Sequence, residues 1–166
     1  MKPFANKHKE KFIASIPIAS IDADTDLLTN KCKFNFAYFD VQPASQSFED
    51  WTEIQRKELF SKLQAYSRES LQHWKEKPIG RKSGNVLSIY GAFPPNSDFK
   101  HPKHVPHEVE WGRFRLDCSC RLVGFTLPKT HDETTHPRTG KRFDCNTFYI
   151  VFLDANHRFY KSKESK

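Results

Sequence analysis

Basic side chains concentrate in a predicted β-hairpin at about 110–127. Arg113 and Arg115 are two residues apart, so on a strand they project from the same face. Arg121 begins the predicted return strand, which would bring a third guanidinium close to them. A guanidinium is always charged and binds a phosphate through two hydrogen bonds. The spacing therefore predicts a phosphate-binding site, with the alternative that these arginines solvate one sheet face and pair with acids such as Asp117.

A second basic and aromatic group follows the last predicted strand, which spans about 146–153. After a turn-like segment the chain carries His157, Arg158, Tyr160 and Lys161. Histidine exchanges protons near neutral pH, and tyrosine can donate a proton or stack on a base. The group predicts proton transfer and nucleic-acid binding. The alternative is a surface tail whose aromatic rings pack on the sheet.

Two groups of residues could hold a metal. Three histidines recur every third residue in a Pro-rich segment, and an extended conformation would place them on one face: His101, His104 and His107. A second candidate zinc set consists of Cys118, Cys120 and Cys145 with His131 or His136. Structural zinc sites usually combine paired ligands from two places, and Cys-x-Cys is not their usual spacing. We therefore predict no metal, no cofactor and reduced thiols, including Cys32, with zinc binding as the open alternative.

Composition indicates the class of partner. The chain has 166 residues and a net charge of +7, which favours a polyanion such as RNA or the ribosome. No apolar run approaches the length of a membrane helix. The basic start and the apolar stretch after Lys11 have the outline of a signal peptide, but that stretch is short and interrupted by Pro17, which disfavours secretion. We predict a cytoplasmic protein without a membrane partner. It should be a single domain over 1–166, with mobile basic tails at 1–11 and 161–166.

Hydrophobic periodicity predicts the elements that position these residues. Apolar and polar residues alternate over 33–40, which indicates a strand, and 12–21 could be a strand or an extended arm. One long helix, or a helical hairpin broken near Ser67, spans about 48–76, and Ser47 with Asp50 resembles its N-cap. Short strands follow at about 86–90 and in the regions described above.

This order predicts an α+β fold, in which a small, mostly antiparallel sheet packs against the long helix or helical hairpin. An extra N-terminal segment, a loop at 91–106 and an insert at 128–144 would surround it. The chain is 14% aromatic but only 37% hydrophobic, so aromatic rings must fill much of the core. The residues predicted to lie between helix and sheet are Trp51, Leu59, Leu63, Phe34 and Phe36.

The hairpin and the C-terminal group together resemble the RelE-like toxin superfamily. The shared pattern is basic-x-basic-Leu, a turn, Arg-Leu-Val, a strand, and a basic and aromatic ending, over 110–127 and 146–161. Gly124 stands where that superfamily often has an aromatic residue. The ending, a strand followed by Asp-x-Asn-His, also resembles a group of uncharacterised prokaryotic proteins.

The resemblance implies a toxin of a prokaryotic toxin–antitoxin or phage-defence system. Such a protein would cut mRNA as a metal-free endoribonuclease, bind RNA or the ribosome, and be neutralised by an antitoxin protein. The implied catalytic residues are Arg121, His157 and Tyr160, and the implied RNA-binding residues are Arg113, Arg115, Arg158 and Lys161. The alternative from a different class is a non-catalytic module that inhibits a protein or nucleic-acid target by binding alone.

Overall fold

The computed structural model describes residues 7–15, 21, 28–80, 84–116 and 120–161, and it confirms the predicted α+β class. Within these ranges three α-helices accompany one five-stranded sheet. The helices are α1 (Lys7–Ser15), α2 (Glu53–Tyr66) and α3 (Leu71–Glu76), and the strands are β1 (Lys33–Asn35), β2 (Leu87–Gly91), β3 (Glu110–Arg115), β4 (Arg121–Thr126) and β5 (Thr147–Asp154). None of the helices in the described ranges is long and apolar enough to cross a membrane.

The sheet is mixed, with the order β1-β5-β4-β3-β2. Strands β2 to β5 pair antiparallel with their neighbours, as predicted, and β1 alone runs parallel to its partner β5. In the register of the central strands, Arg115 lies opposite Arg121, which in turn lies opposite Asp154. The predicted hairpin is therefore formed, and its arginines lie at one end of the sheet.

The region predicted as one long helix or a helical hairpin forms two separate helices. Helix α2 ends at Tyr66 because the Ser67 hydroxyl donates to the Leu63 carbonyl at 2.8 Å and the chain then turns away. Ser70 caps the new helix α3 by accepting a hydrogen bond from the His73 amide at 3.1 Å. Serine favours such terminal positions because its side chain competes for backbone groups. The single long helix is thus not formed.

The predicted N-cap at Ser47 is wrong by about one helical turn. Ser47 and Asp50 do exchange side-chain to backbone hydrogen bonds, but they close a turn that precedes the helix. The true cap is Thr52, whose hydroxyl accepts from the Gln55 amide while the Gln55 side chain accepts from the Thr52 amide. Both pairs have the three-residue spacing of a capping box, so spacing alone did not separate them.

Of the two segments predicted to be extended, one forms a shorter strand than expected and the described part of the other is helical. The strand predicted over 33–40 stops at Asn35, because the Asn35 side chain accepts the Ala37 amide at 2.8 Å and turns the chain. As a result Phe36 is 40% exposed, and its predicted place in the core is wrong. Residues 12–15 belong to α1, where the prediction was a strand or an extended arm, and residues 16–20 lie outside the described part of the chain.

Apolar residues cover both faces of the sheet. Residues of α2, α3, the facing strand positions and the segments that flank these elements form the helix-side core: Cys32, Trp51, Leu59, Leu63, Tyr66, Leu71, Leu87, Phe114, Leu116, Cys120, Leu122, Phe148, Ile150 and Leu153. This confirms the burial of Trp51, Leu59 and Leu63, with Phe34 packed at its edge. The opposite face forms the far-side core, which loops cover: Ala44, Phe99, Val105, Val109, Trp111, Val123, Phe125, Val151, Phe152 and Phe159.

Candidate nucleic-acid interface

The β3–β4 hairpin places its three arginines on the face of the sheet that points away from the helices. Phe114 and Leu122, which alternate with them, belong to the helix-side core. Arg115 lies directly across from Arg121, and Arg113 lies one pleat further along β3. Arg113 and Arg115 are half-buried. The structure therefore brings the three predicted phosphate-binding arginines together.

Arg121 differs from the other two in its burial. It is 3% exposed, and its guanidinium donates to the Cys120 carbonyl at 2.9 Å. An arginine that binds a phosphate directly must present its guanidinium to solvent, and Arg121 does not. The reason is its position on a central strand, between Arg115 on β3 and Asp154 on β5.

Asp154 fixes the start of the C-terminal segment. It is 1% exposed, and its carboxylate accepts three backbone hydrogen bonds, from Asn156 at 3.1 Å, Arg158 at 3.0 Å and Phe159 at 2.9 Å. His157 takes a positive φ of 55° within this turn and is exposed. The predicted C-terminal group is therefore a turn held by a buried carboxylate, with Phe159 anchored in the far-side core.

The predicted Tyr160 stacks on Tyr90 of β2, a residue that the sequence prediction missed. The two ring centroids are 4.3 Å apart with an angle of 2° between the ring planes. The Arg113 guanidinium carbon lies 5.9 Å from the Tyr90 centroid, within the range of a cation–π contact. Tyr90 and Arg113 belong to adjacent strands, because Ser88 pairs with Arg113. Extending the predicted alternation onto β2 would have identified Tyr90.

The arginines create a positive potential around two tyrosine hydroxyls. Burial raises the pKa of Tyr90, and the nearby positive charges of Arg113 and Arg121 oppose that rise. On the other side of the sheet, burial raises the pKa of Tyr66 to about 12, against the opposing charges of Arg115 and Arg121. Both hydroxyls therefore stay protonated at neutral pH, and the Tyr66 hydroxyl donates to the Arg115 carbonyl.

Asp98 is a second residue that the sequence prediction missed. Its carboxylate lies 2.5 Å from the Lys161 ammonium and 4.0 Å from the Arg158 guanidinium, and its amide donates to the Arg158 carbonyl. These ion pairs are solvent-exposed and hold the end of the described chain beside the loop after β2. Exposed pairs of this kind are weak, at about 0–1 kcal/mol, so Arg158 and Lys161 can exchange Asp98 for another anion.

The three candidate histidines do not converge on one point. His101 stacks on His107 with centroids 4.2 Å apart, whereas His104 stacks on Tyr38. Burial, and then the neighbouring His107, lower the pKa of His101.

The candidate zinc cysteines are also separated. Cys120 precedes β4 and Cys145 precedes its antiparallel neighbour β5, so the two lie at opposite ends of the strand pair, roughly 20 Å apart at about 3.3 Å per residue. Cys118 lies outside the described residues. Burial raises the pKa of Cys145, as do Asp132 and Asp144, which disfavours the thiolate that zinc requires. Within the described ranges there is no group of three metal-ligating side chains.

Comparison with known proteins adds no family to this description. No protein-family model, curated protein or solved structure matches the chain.

Proposed function

We propose that this protein is a metal-free endoribonuclease that cuts mRNA as the toxin of a prokaryotic toxin–antitoxin or phage-defence system, similar to the RelE-like toxins. The observation that carries the proposal is the grouping of Arg113, Arg115 and Arg121 beside the stacked Tyr90 and Tyr160. Guanidinium groups next to an exposed ring suit a ligand with both phosphates and bases. The net charge of +7 would speed the approach of such a polyanion.

The position of the helices supports this proposal. In the RelE-like superfamily a small antiparallel sheet packs against one or two helices that lead into it. Here α2 and α3 precede β2 to β5 and pack on one face of the sheet through the helix-side core. Alternation along β3 places Arg113 and Arg115 on the opposite face, where both stay half-buried, and Arg115 also lines the groove beside α2 and α3.

In the proposed reaction the 2′-hydroxyl of the RNA attacks the adjacent phosphorus and the 5′-oxygen leaves. The products carry a 2′,3′-cyclic phosphate and a 5′-hydroxyl. Arg113 and Arg115 would bind the phosphate and stabilise the negative charge that grows on it, each contributing about 3 kcal/mol. The exposed His157 would exchange protons with the attacking or leaving oxygen.

The role of Arg121 in this proposal is positioning, because it is buried. Its charge opposes the raised pKa of both Tyr66 and Tyr90. The buried carboxylate of Asp154 lies opposite Arg121 on β5 and offsets part of that charge, so Arg121 would mainly position Arg115, its partner on β3, without touching the RNA. Arg158 and Lys161 would contact neighbouring phosphates when they leave Asp98.

The experiment is cleavage of end-labelled mRNA by the purified protein, with and without ribosomes and in the presence of a chelator. We expect cleavage that the chelator does not slow, with cyclic-phosphate products. Arg113→Ala and Arg115→Ala should each reduce the rate about 100-fold. Lys141→Ala removes an exposed cation in the insert between β4 and β5, at the other end of the sheet, and should leave the rate unchanged. RNA that stays intact both with and without ribosomes would contradict the proposal.

A non-catalytic binding module is the second candidate, and the burial of Arg121 favours it. One of the three arginines offers almost no surface to a substrate, and Asp98 already neutralises charge on Arg158 and Lys161. Such a module would inhibit its target by occupying it. Expression in a bacterial host separates the two candidates, because growth arrest with intact mRNA indicates binding alone. In either case an antitoxin protein is the proposed neutralising partner.

A further inference from the structure

Tyr160 has the geometry of a stacking platform. Its ring lies parallel to Tyr90, at 4.3 Å, and it is 49% exposed, as expected for a ring covered on one face and open on the other. Tyr90 in turn contacts Phe159, with 6.4 Å between the ring centroids, and Phe159 is 1% exposed. The exposed ring therefore rests on a chain of aromatic contacts that ends in the far-side core.

The surroundings of this platform carry positive charge. Arg113 lies 5.9 Å from the centre of the Tyr90 ring. Lys161 follows Tyr160 directly in the chain and would add its charge when it leaves its ion pair with Asp98. A nucleobase stacked on the open face of Tyr160 would have its own phosphates within the reach of such long cationic side chains.

We infer that Tyr160 binds a base of single-stranded nucleic acid by stacking, and that the phosphate next to that base binds Arg113. This deepens the proposed function, on which it rests, by naming the part of the RNA that the surface holds. It assigns Tyr160 to binding and leaves proton transfer to His157. Stacking on a flat ring does not distinguish one base from another, so the subsite is sequence-tolerant.

The test compares two ligands that differ only in their bases. Fluorescence anisotropy at one fixed salt concentration would measure binding of a labelled oligothymidylate and of an abasic oligonucleotide of the same length. DNA lacks the 2′-hydroxyl and so cannot be cut by the proposed reaction. We expect wild-type protein to bind the base-bearing strand between about 5-fold and 150-fold more tightly.

Variants test whether Tyr160 is responsible for the preference for the base-bearing strand. Tyr160→Ala should remove it while leaving affinity for the abasic strand unchanged, and Tyr160→Phe should keep it, because the ring remains. Phe60→Ala is the matched control, since Phe60 is an exposed ring on α2 that is 66% exposed. Equal binding of both strands by wild type, no binding of either, or an unchanged preference in Tyr160→Ala would overturn the inference.

RNA cleavage is measured in a separate assay. A base preference that depends on Tyr160, together with intact RNA, overturns the proposed endoribonuclease and supports the stacking site. Cleavage without a base preference does the reverse.

Discussion

Asp154 is the residue whose loss should most disturb the candidate interface. It is 1% exposed and accepts hydrogen bonds from the amides of Asn156, Arg158 and Phe159. A hydrogen bond to a charged group contributes about 1.5–3 kcal/mol, so three set an upper bound of roughly 4.5–9 kcal/mol. Desolvation of the carboxylate offsets part of this. Removing one partner from a buried charged network costs about 3–5 kcal/mol, which is the loss in unfolding free energy that we expect for Asp154→Ala.

Urea unfolding followed by circular dichroism measures this loss. With a dependence of about 2 kcal/mol per molar urea, the midpoint should fall by about 1.5–2.5 M. Asp154→Asn should lie between wild type and Asp154→Ala, because an amide keeps one acceptor oxygen. Asp98→Ala is the control, since that exposed carboxylate should cost less than about 1 kcal/mol. If Asp154→Ala stays within about 1 kcal/mol of wild type, the three hydrogen bonds do not hold the C-terminal turn.

Four further outcomes are expected. Leu63→Ala should lower the unfolding free energy by about 2–5 kcal/mol and Ile54→Ala by less than about 0.5 kcal/mol, because Leu63 is 8% exposed and Ile54 is 70% exposed; equal effects would place the wrong face of α2 in the core. Gly124→Ala should prevent stable folding, since a Cβ there would overlap the Tyr149 carbonyl oxygen. Gly140→Ala meets open space and should lower the unfolding free energy by only about 1 kcal/mol, because residue 140 has a positive φ. Similar melting temperatures for the two variants would contradict this. The pKa of His101 is lowered from 6.5 by burial and then by His107, so its contribution to stability is complete above pH 6.5 and declines below it; His107→Gln should lessen the decline, and a melting temperature independent of pH between about 5 and 7 would oppose the reasoning. In denaturant without reductant all four thiols should react with a thiol reagent, whereas two would reveal a disulfide; in the native protein Cys32 should react slowly, because burial raises its pKa to about 11.

The hairpin could be predicted from sequence because its signals are local. Alternation over 110–127 identified both strands, and the two-residue spacing placed Arg113 and Arg115 on one face. The burial of Arg121 depends instead on which strands lie on each side of β4, and β5 joins it from a distant part of the sequence. Local patterns carry no information on such pairings.

Side chains that hydrogen-bond to backbone amides explain most of the remaining differences between the predicted and observed ends of helices and strands. Asn35 ended a strand whose alternation continued to Tyr38, and Thr52 capped a helix for which Ser47 offered the same spacing. The Tyr90–Tyr160 stack requires the turn at Asp154 to bring the chain back over β2. The resemblance assigned Tyr160 a catalytic role, and the sequence prediction did not identify Tyr90 as the ring on which it stacks.

The parallel pairing of β1 with β5 has a consequence for how the protein is made. Strand β1 precedes both helices that pack on the sheet, and its partner is the last strand of the sheet to leave the ribosome. Until β5 is synthesised, β1 has no partner and β4 presents an open edge, which is a template for aggregation. Such pairings between distant segments slow folding. The turn that carries His157 and Tyr160 follows β5 directly, so a nascent chain acquires its candidate interface only after the rest of the sheet has been translated.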